Sequence, residues 1–279
     1  MRTEELEGRG PLVVGVDPDP GRQTAVAWAA DEADRRRVPL KLVHAQWRDD
    51  PRTASDDALK AAVAFARARC PGLPVAALAA EGHPARILAE QSHGATQVVI
   101  GSRHRGAAQE LFGSAAVALP LTARAACPVI VLREPEHITQ DPPYFVVGVD
   151  GSPHAAAAID LAFEEASLRG GAVLRALYVW HTPLLGVLDE DAALRECRRI
   201  LSETVAGRTA THPEVVLRHE VVKGHPVRTL VDASAHALGL VVGTRGHGGF
   251  SGMLLGSVSQ GVIHHARCPV LVVPRPRER

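Results

Sequence analysis

The sequence predicts two tandem α/β domains, each a five-stranded parallel sheet doubly wound by helices in the strand order 3-2-1-4-5. Three observations predict it. An internal repeat runs through the chain, short β-branched runs alternate with Ala-rich stretches of helical length, and a Gly-rich segment follows the fourth strand of the second copy.

The repeat is carried by four ordered matches. VVGVDPDP at Val13 to Pro20 answers VVGVDGSP at Val146 to Pro153, and EGHPARIL at Glu81 to Leu88 answers KGHPVRTL at Lys223 to Leu230. VVIGSRH at Val98 to His104 answers LVVGTRG at Leu240 to Gly246, and CPVIVL at Cys127 to Leu132 answers CPVLVV at Cys268 to Val273. A chain of 279 residues suits two ordinary domains, here 1–136 and 142–279. The Pro- and charge-rich stretch Arg133 to Tyr144 reads as the linker between them.

Apolar runs bounded by Gly, Pro or Asp read as strands. In the first half they are Leu12 to Asp17, Pro39 to Ala45, Val75 to Ala79, Gln97 to Gly101 and Pro128 to Leu132. In the second they are Phe145 to Asp150, Ala172 to Val179, Glu214 to Val221, Leu238 to Gly243 and Cys268 to Val273. Ile159, Leu161, Ala162, Ala166 and Leu168 form an apolar helix face after the first of these. Asp191 to Ala206, Pro226 to Ala237 and Leu254 to Ala266 supply three more helices. Near-continuous apolar strands such as LVVG and PVLVV fit a sheet buried on both faces.

Composition narrows the function. Hydrophobic residues make up 46% of the chain but aromatics only 4%, so Val, Leu, Ile and Ala must fill the cores. Basic and acidic residues balance at 31 each, which argues against a nucleic-acid grip, because that needs a basic face. The Arg275 to Arg279 end reads as a solvated tail. No apolar run approaches the roughly 20 residues that cross a bilayer. The charged start MRTEELEGRG and the scattered Cys70, Cys127, Cys197 and Cys268 fit a cytoplasmic protein with reduced thiols.

Ligands of open α/β sheets bind beyond the carboxyl ends of the strands, at the switch point flanked by strands one and four. Strand one of the second half ends in Val149-Asp150-Gly151-Ser152, and strand four runs into GTRGHGGFSGMLLGS, Gly243 to Ser257. Gly243, Gly246, Gly248, Gly249, Gly252 and Gly256 let the backbone turn with positive φ and approach a ligand, forming an anion nest. A helix that starts after Gly256-Ser257 adds its N-terminal dipole, and the hydroxyls of Ser257 and Ser259 can add hydrogen bonds. GxxxxGK[ST] is absent, so no P-loop lysine is supplied, and no GxGxxG follows the first strand. Asp150 has two readings, a cap for the next helix or a ligand contact; its pairing with Asp17 and its place opposite the loop favour the second.

The spacing Gly243-x2-Gly246-x9-Gly256-Ser257 resembles the ATP-binding signature of the universal stress proteins. VVGVDGSP, GHPVRTL and CPVLVV are also similar to that family, so the resemblance covers nearly the whole chain, twice. It implies Rossmann-like domains of the adenine nucleotide alpha hydrolase-like type, a site for ATP (with Mg2+ as a companion ion), dimerisation and a stress-linked role. By the resemblance, Gly148 and Asp150 line the floor near adenine and ribose, and Val179 meets adenine through its main chain. Gly243, Thr244, Arg245, Gly246, His247, Gly248 and Gly249 wrap the phosphates, and Gly256, Ser257 and Val258 close the other side.

The first half keeps a weaker version: Gly15, Asp17, Gly101, Ser102, Arg103, Gly113 and Ser114. Its loop, Gly101 to Ser114, is one residue shorter and puts His104 where the second Gly is expected. Glu110 adds negative charge, Pro18-Asp19 replaces Gly-Ser, and Pro120 falls within the following helix, where proline costs about 3 kcal/mol. Weaker or lost ATP binding is expected there.

The other polar residues read as structural. Fourteen histidines include no HExxH and no zinc spacing, and adjacent His264 and His265 face different sides of a helix, so no metal site is expected. His83 and His225 in their GHP contexts read as helix-start turns or caps, and Ser152 as an N-cap. His247 reads equally as a phosphate contact when protonated or as a solvated loop residue. Cys127 and Cys268 read as small hydrophobes in buried strands. No catalytic residue is assigned, so the favoured reading is an ATP-binding regulatory module, at most a weak ATPase. The alternatives are a slow ATP hydrolase or nucleotidyl-transferring enzyme, and a nucleotide-free structural dimer. The expected partners are adenine nucleotide and, through the fifth strands PVIVL and PVLVV, an intrachain domain pairing and a homodimer, with no nucleic acid and no membrane.

Overall fold

The computed structural model describes residues 10–17, 23–46, 52–101, 115–133, 140–170, 172–181, 189–246 and 254–274. The chain divides into two compact units, Met1–Pro135 and Glu136–Arg279. Of the linker, residues 134–139 lie outside the described residues, as do Pro18, Asp19, His104, Glu110 and 275–279.

The first unit runs β1 (Leu12–Gly15), α1 (Thr24–Arg36), β2 (Leu40–Gln46), α2 (Arg52–Arg69), β3 (Val75–Glu81), α3 (Pro84–Gln91), β4 (Gln97–Gly101), α4 (Ala115–Thr122) and β5 (Val129–Leu132). The second runs β6 (Tyr144–Val149), α5 (Pro153–Ser167), β7 (Val173–Trp180), α6 (Glu190–Val205), a short α7 (Arg208–Thr211), β8 (Val216–Lys223), α8 (Pro226–Ala233), β9 (Gly239–Gly243), α9 (Ser257–His265) and β10 (Val270–Val273).

Within each unit the strands are parallel and in the expected order, β3-β2-β1-β4-β5 and β8-β7-β6-β9-β10. Val13 pairs with Lys41 on one side and Val98 on the other; Val146 pairs with Arg175 and Leu240. Covering helices explain why the central strands are continuously apolar: Val98, Val99, Val146, Val147, Leu240 and Val241 are fully buried. Ile159 and Phe163 of α5 are likewise fully buried, worth about 1.5–3 kcal/mol each relative to exposure.

The helix starts follow from local chemistry. Ser152 caps α5 by accepting from the amide of Ala155 at 3.2 Å, with Pro153 at the position where a missing N–H does no harm. Asp189 caps α6 through the amide of Ala192 at 2.8 Å. Two helices differ from the sequence expectation. α8 ends at Ala233, because beyond Ser234 the amides of Ala235 and Ala237 donate only three residues back, to the carbonyls of Asp232 at 3.4 Å and Ser234 at 3.0 Å, so the helix gives way to turns. α9 begins at Ser257 instead of Leu254, because the amide of Gly256 donates to the carbonyl of Thr244 at 2.7 Å and holds Gly256 extended. Pro120 lies inside α4, as the pattern indicated.

The halves share a feature that periodicity did not reveal. Glu32 of α1 is fully buried and accepts from Arg36 Nε at 2.6 Å; Glu165 of α5 is fully buried and accepts from Arg169 at 2.5 Å. The Arg169 guanidinium also lies over the Phe145 ring, 5.1 Å from its centroid. A buried charge persists only with such partners.

Candidate functional site

The site expected in the second unit lies where β6 and β9, neighbours in the sheet, end. Asp150 follows β6. Its Oδ1 accepts from the amide of Ser152 at 3.0 Å, across Gly151, whose φ of +80° suits only a residue without Cβ. Asp150 therefore braces the turn into α5, while the cap itself is Ser152.

Thr244, Arg245 and Gly246 leave β9 and cross to Asp150. A Cβ on Gly246 would stand 2.2 Å from Asp150 Oδ2, closer than any real contact allows. The structure thus brings Asp150 and the Gly-rich segment together. Gly256 lies against the same stretch: a Cβ there would be 3.4 Å from Arg245 Cα and from the Thr244 carbonyl oxygen. Ser257 is exposed at the first turn of α9, and Val258 beside it is half-buried. No side chain caps this helix, because its N-cap is glycine. Its N-terminal dipole faces the segment that carries Arg245. Arg245 is exposed and, among the described residues, makes no ion pair. Thr244 is buried, and its amide donates to the Val273 carbonyl at 2.9 Å, which ties the start of the segment to β10.

Of the two uses of glycine that the sequence suggested, positive φ and close approach, the described positions show the second, and toward protein atoms. Gly243, Gly246 and Gly256 are not among the positive-φ glycines. They answer to close approach instead. A Cβ on Gly243 would come 2.7 Å from His154 Cβ, so the end of β9 packs directly on the first turn of α5. The Ser259 hydroxyl donates to the Gly243 carbonyl at 2.6 Å, so it braces the loop and is directed at the protein. Gly148 likewise faces packing: a Cβ would be 3.1 Å from Leu230 Cδ1. The first unit repeats this contact between Gly15 and Leu88 Cδ1 at 3.2 Å, which explains why the VVGVD and GHP motifs travel together.

Val179 is half-buried in β7. Its neighbour Tyr178 escaped the sequence reading, since a tyrosine in a strand reads as core. Burial pushes the Tyr178 phenol up to about 12, reinforced by Cys197, to which it hydrogen-bonds, and by the Asp150 carboxylate. Tyr178 is thus a polar group beside Asp150. Pairing register puts His44 at the corresponding place in the first unit, with Nδ1 3.0 Å from the Val16 carbonyl oxygen. Lys223, at the end of β8, is held by Glu190 at 2.7 Å and lies over the Trp180 ring.

In the first unit Gly15 ends β1, Asp17 is half-buried, and Gly101 ends β4. A Cβ on Gly101 would be 3.5 Å from Ala25 Cβ, an ordinary contact, so this end is less tightly packed than Gly243 against His154. Ser102, Arg103, Gly113, Ser114, His247, Gly248, Gly249 and Gly252 lie outside the described residues. The two GHP histidines diverge. His83 Nδ1 accepts from the amide of Ala85 at 3.2 Å, whereas His225 makes no side-chain cap and meets the His181 ring edge-on at 6.2 Å. Among the described residues no group of three metal-ligating side chains occurs, and no helix is long and apolar enough to cross a membrane.

The "Universal stress protein family" model matches residues 8–133 and again 145–274. The universal stress protein Rv2005c of Mycobacterium tuberculosis is 37% identical over 286 residues, which cover 94% of this chain and 96% of that protein. The universal stress protein Rv2623 of the same organism is 35% identical, covering 94% and 95%. Among solved structures, a putative universal stress protein of Pseudomonas aeruginosa aligns with TM-score 0.72 at 19% identity, covering 98% of this chain and 96% of that one, a likeness of fold.

Proposed function

The chain belongs to the universal stress protein family, and from that premise we propose that its second unit binds an adenine nucleotide, ATP, as a regulatory module. The observation that carries the reading is the contact of Gly246 with the Asp150 carboxylate, beside Arg245 and the N-terminal end of α9. That donor set suits a nucleotide. Arg245 and the amides at the start of α9 supply positive charge for phosphates, and Thr244 and Gly256 hold the backbone that positions them. An anionic Asp150 repels phosphate, so it suits ribose hydroxyls or a Mg2+ ion that accompanies the phosphates. Gly148, Val179, Ser257 and Val258 complete the proposed lining, with His247, Gly248 and Gly249 from the segment outside the described residues. Tyr178 joins them as a polar neighbour of Asp150.

The same reading makes the first unit the weaker site. Gly246 tolerates no side chain against Asp150, and the matching position in the first half is His104. Binding then acts by favouring one conformation or partner state over another, which requires different affinity for the two. The proposal extends to a cytoplasmic homodimer, which sedimentation equilibrium of the full chain checks.

Titration calorimetry with ATP tests the function directly. One equivalent per chain is expected, with Asp150→Ala and Gly256→Val each abolishing most of the heat. No heat with the parent protein, and no nucleotide released on denaturing it, overturns the proposal in favour of a nucleotide-free dimer. Steady-state turnover well above background, lost in Gly256→Val, favours the hydrolase instead.

A further inference from the structure

We propose that the second unit carries another ligand site, independent of the nucleotide reading: an anion pocket that takes a phosphate monoester through Arg175 and Arg218. A cavity of about 410 Å3 opens on this unit, lined by Tyr144, Arg175, Arg218, His219 and Glu220 among others. Its volume lies within the range typical of small-molecule sites. Tyr144 begins β6, six residues before Asp150, and Arg175 and Arg218 lie level with Val146, four residues before it, so at about 3.3 Å per residue the pocket is displaced by about 13–20 Å along the strands from Asp150, toward their opposite ends.

Arg175 and Arg218 are register partners on β7 and β8, so they project from the same face of the sheet. Like charges directly opposite one another destabilise a strand pair, and an anion between them removes that penalty. Only one of the two is neutralised. Glu220 accepts from Arg175 at 3.2 Å, and the Arg175 guanidinium lies 5.5 Å from the centroid of the Tyr144 ring. Tyr144 is in turn fixed by its hydroxyl, which donates to the Ala233 carbonyl at 3.2 Å. Arg175 is therefore positioned in advance, whereas Arg218 is exposed and, among the described residues, without an ion-pair partner. Two guanidinium groups against one carboxylate leave the lining net positive, and guanidinium forks match a phosphate dianion in shape and charge. The first unit lacks the pair. Lys41, at the place of Arg175, is the register partner of Ala76 and donates to Gln91 at 2.6 Å.

The test follows the backbone amides of Arg218 and Glu220 by nuclear magnetic resonance in the full chain, during titration with inorganic phosphate and with phenyl phosphate. Saturable shifts at these amides are expected. Arg218→Ala weakens binding by about tenfold or more, as loss of a charge-assisted hydrogen bond does, and Glu220→Gln strengthens it by removing the competing carboxylate. Tighter binding of phenyl phosphate than of phosphate identifies the natural ligand as an organic monoester, and equal binding identifies the free ion. Both substitutions fall on an exposed edge strand away from the core, so the fold survives them. The absence of saturable shifts with either probe, or equal affinity in Arg218→Ala, overturns the proposal.

Discussion

Replacing Gly246 by alanine tests the contact on which the candidate site rests. The new methyl would stand 2.2 Å from Asp150 Oδ2, and carbon–oxygen contacts normally settle at roughly 3.2–3.5 Å, so a displacement of about 1 Å is forced. Asp150 is short and cannot swing aside freely, because its Oδ1 accepts from the amide of Ser152 at 3.0 Å. Breaking that charge-assisted bond costs about 1.5–3 kcal/mol. Gly246→Ala is therefore expected to lower the stability of the second unit by that amount in denaturant unfolding. If the loop moves instead, calorimetry should show ATP affinity reduced by about tenfold to a hundredfold. A double-mutant cycle isolates the cause. In an Asp150→Ala background the same methyl meets no carboxylate, so the Gly246→Ala penalty should shrink to about 0.5 kcal/mol or less. Additive penalties would refute the contact. A stability loss with unchanged ATP affinity would spare the contact and sink its role in binding.

Arg169→Ala should destabilise the second unit by about 1.5–3 kcal/mol in chemical denaturation, since it removes a charge-assisted hydrogen bond to the fully buried Glu165. Arg228→Ala, which loses only an exposed pair at 3.8 Å, should change stability by less than about 0.5 kcal/mol. An ultraviolet phenolate titration should show one tyrosine ionising near 12, absent in Tyr178→Phe. Folding favours the neutral Tyr178 phenol, so its contribution to stability is intact below the ordinary value near 10 and is lost as pH rises through about 12. Burial likewise pushes the Cys127 thiol up to about 12, so a thiol reagent at neutral pH should modify the half-exposed Cys70 well before Cys127; equal rates in the native protein would contradict this.

Much of this molecule is written in local patterns. The duplicated motifs place the strands within a few residues, because a strand buried on both faces must be apolar at every position, as Val98 to Ile100 and Leu240 to Val242 are. Right-handed crossovers leave few possible orders for the five strands, and the pairing in the sheet decides among them. Ser152 and Pro153 mark the start of α5 unaided, since capping is a matter of two or three neighbouring residues. What the sequence could not contain is which distant atoms meet. It showed that Gly243, Gly246 and Gly256 were glycines, and suggested turns and close approach to a ligand; the fold shows His154, Asp150 and the Thr244–Arg245 backbone pressed where a Cβ would be. It offered Ser259 to a ligand, and the fold turned that hydroxyl to the Gly243 carbonyl. It passed over Tyr178 and the Arg175–Arg218 pair, because strand periodicity says which face a residue takes and nothing about its neighbour on the next strand. Period and propensity act over a few residues along the chain, so they determine elements. Close approach and electrostatic pairing act through space, so only the packed sheet and its helices decide the site.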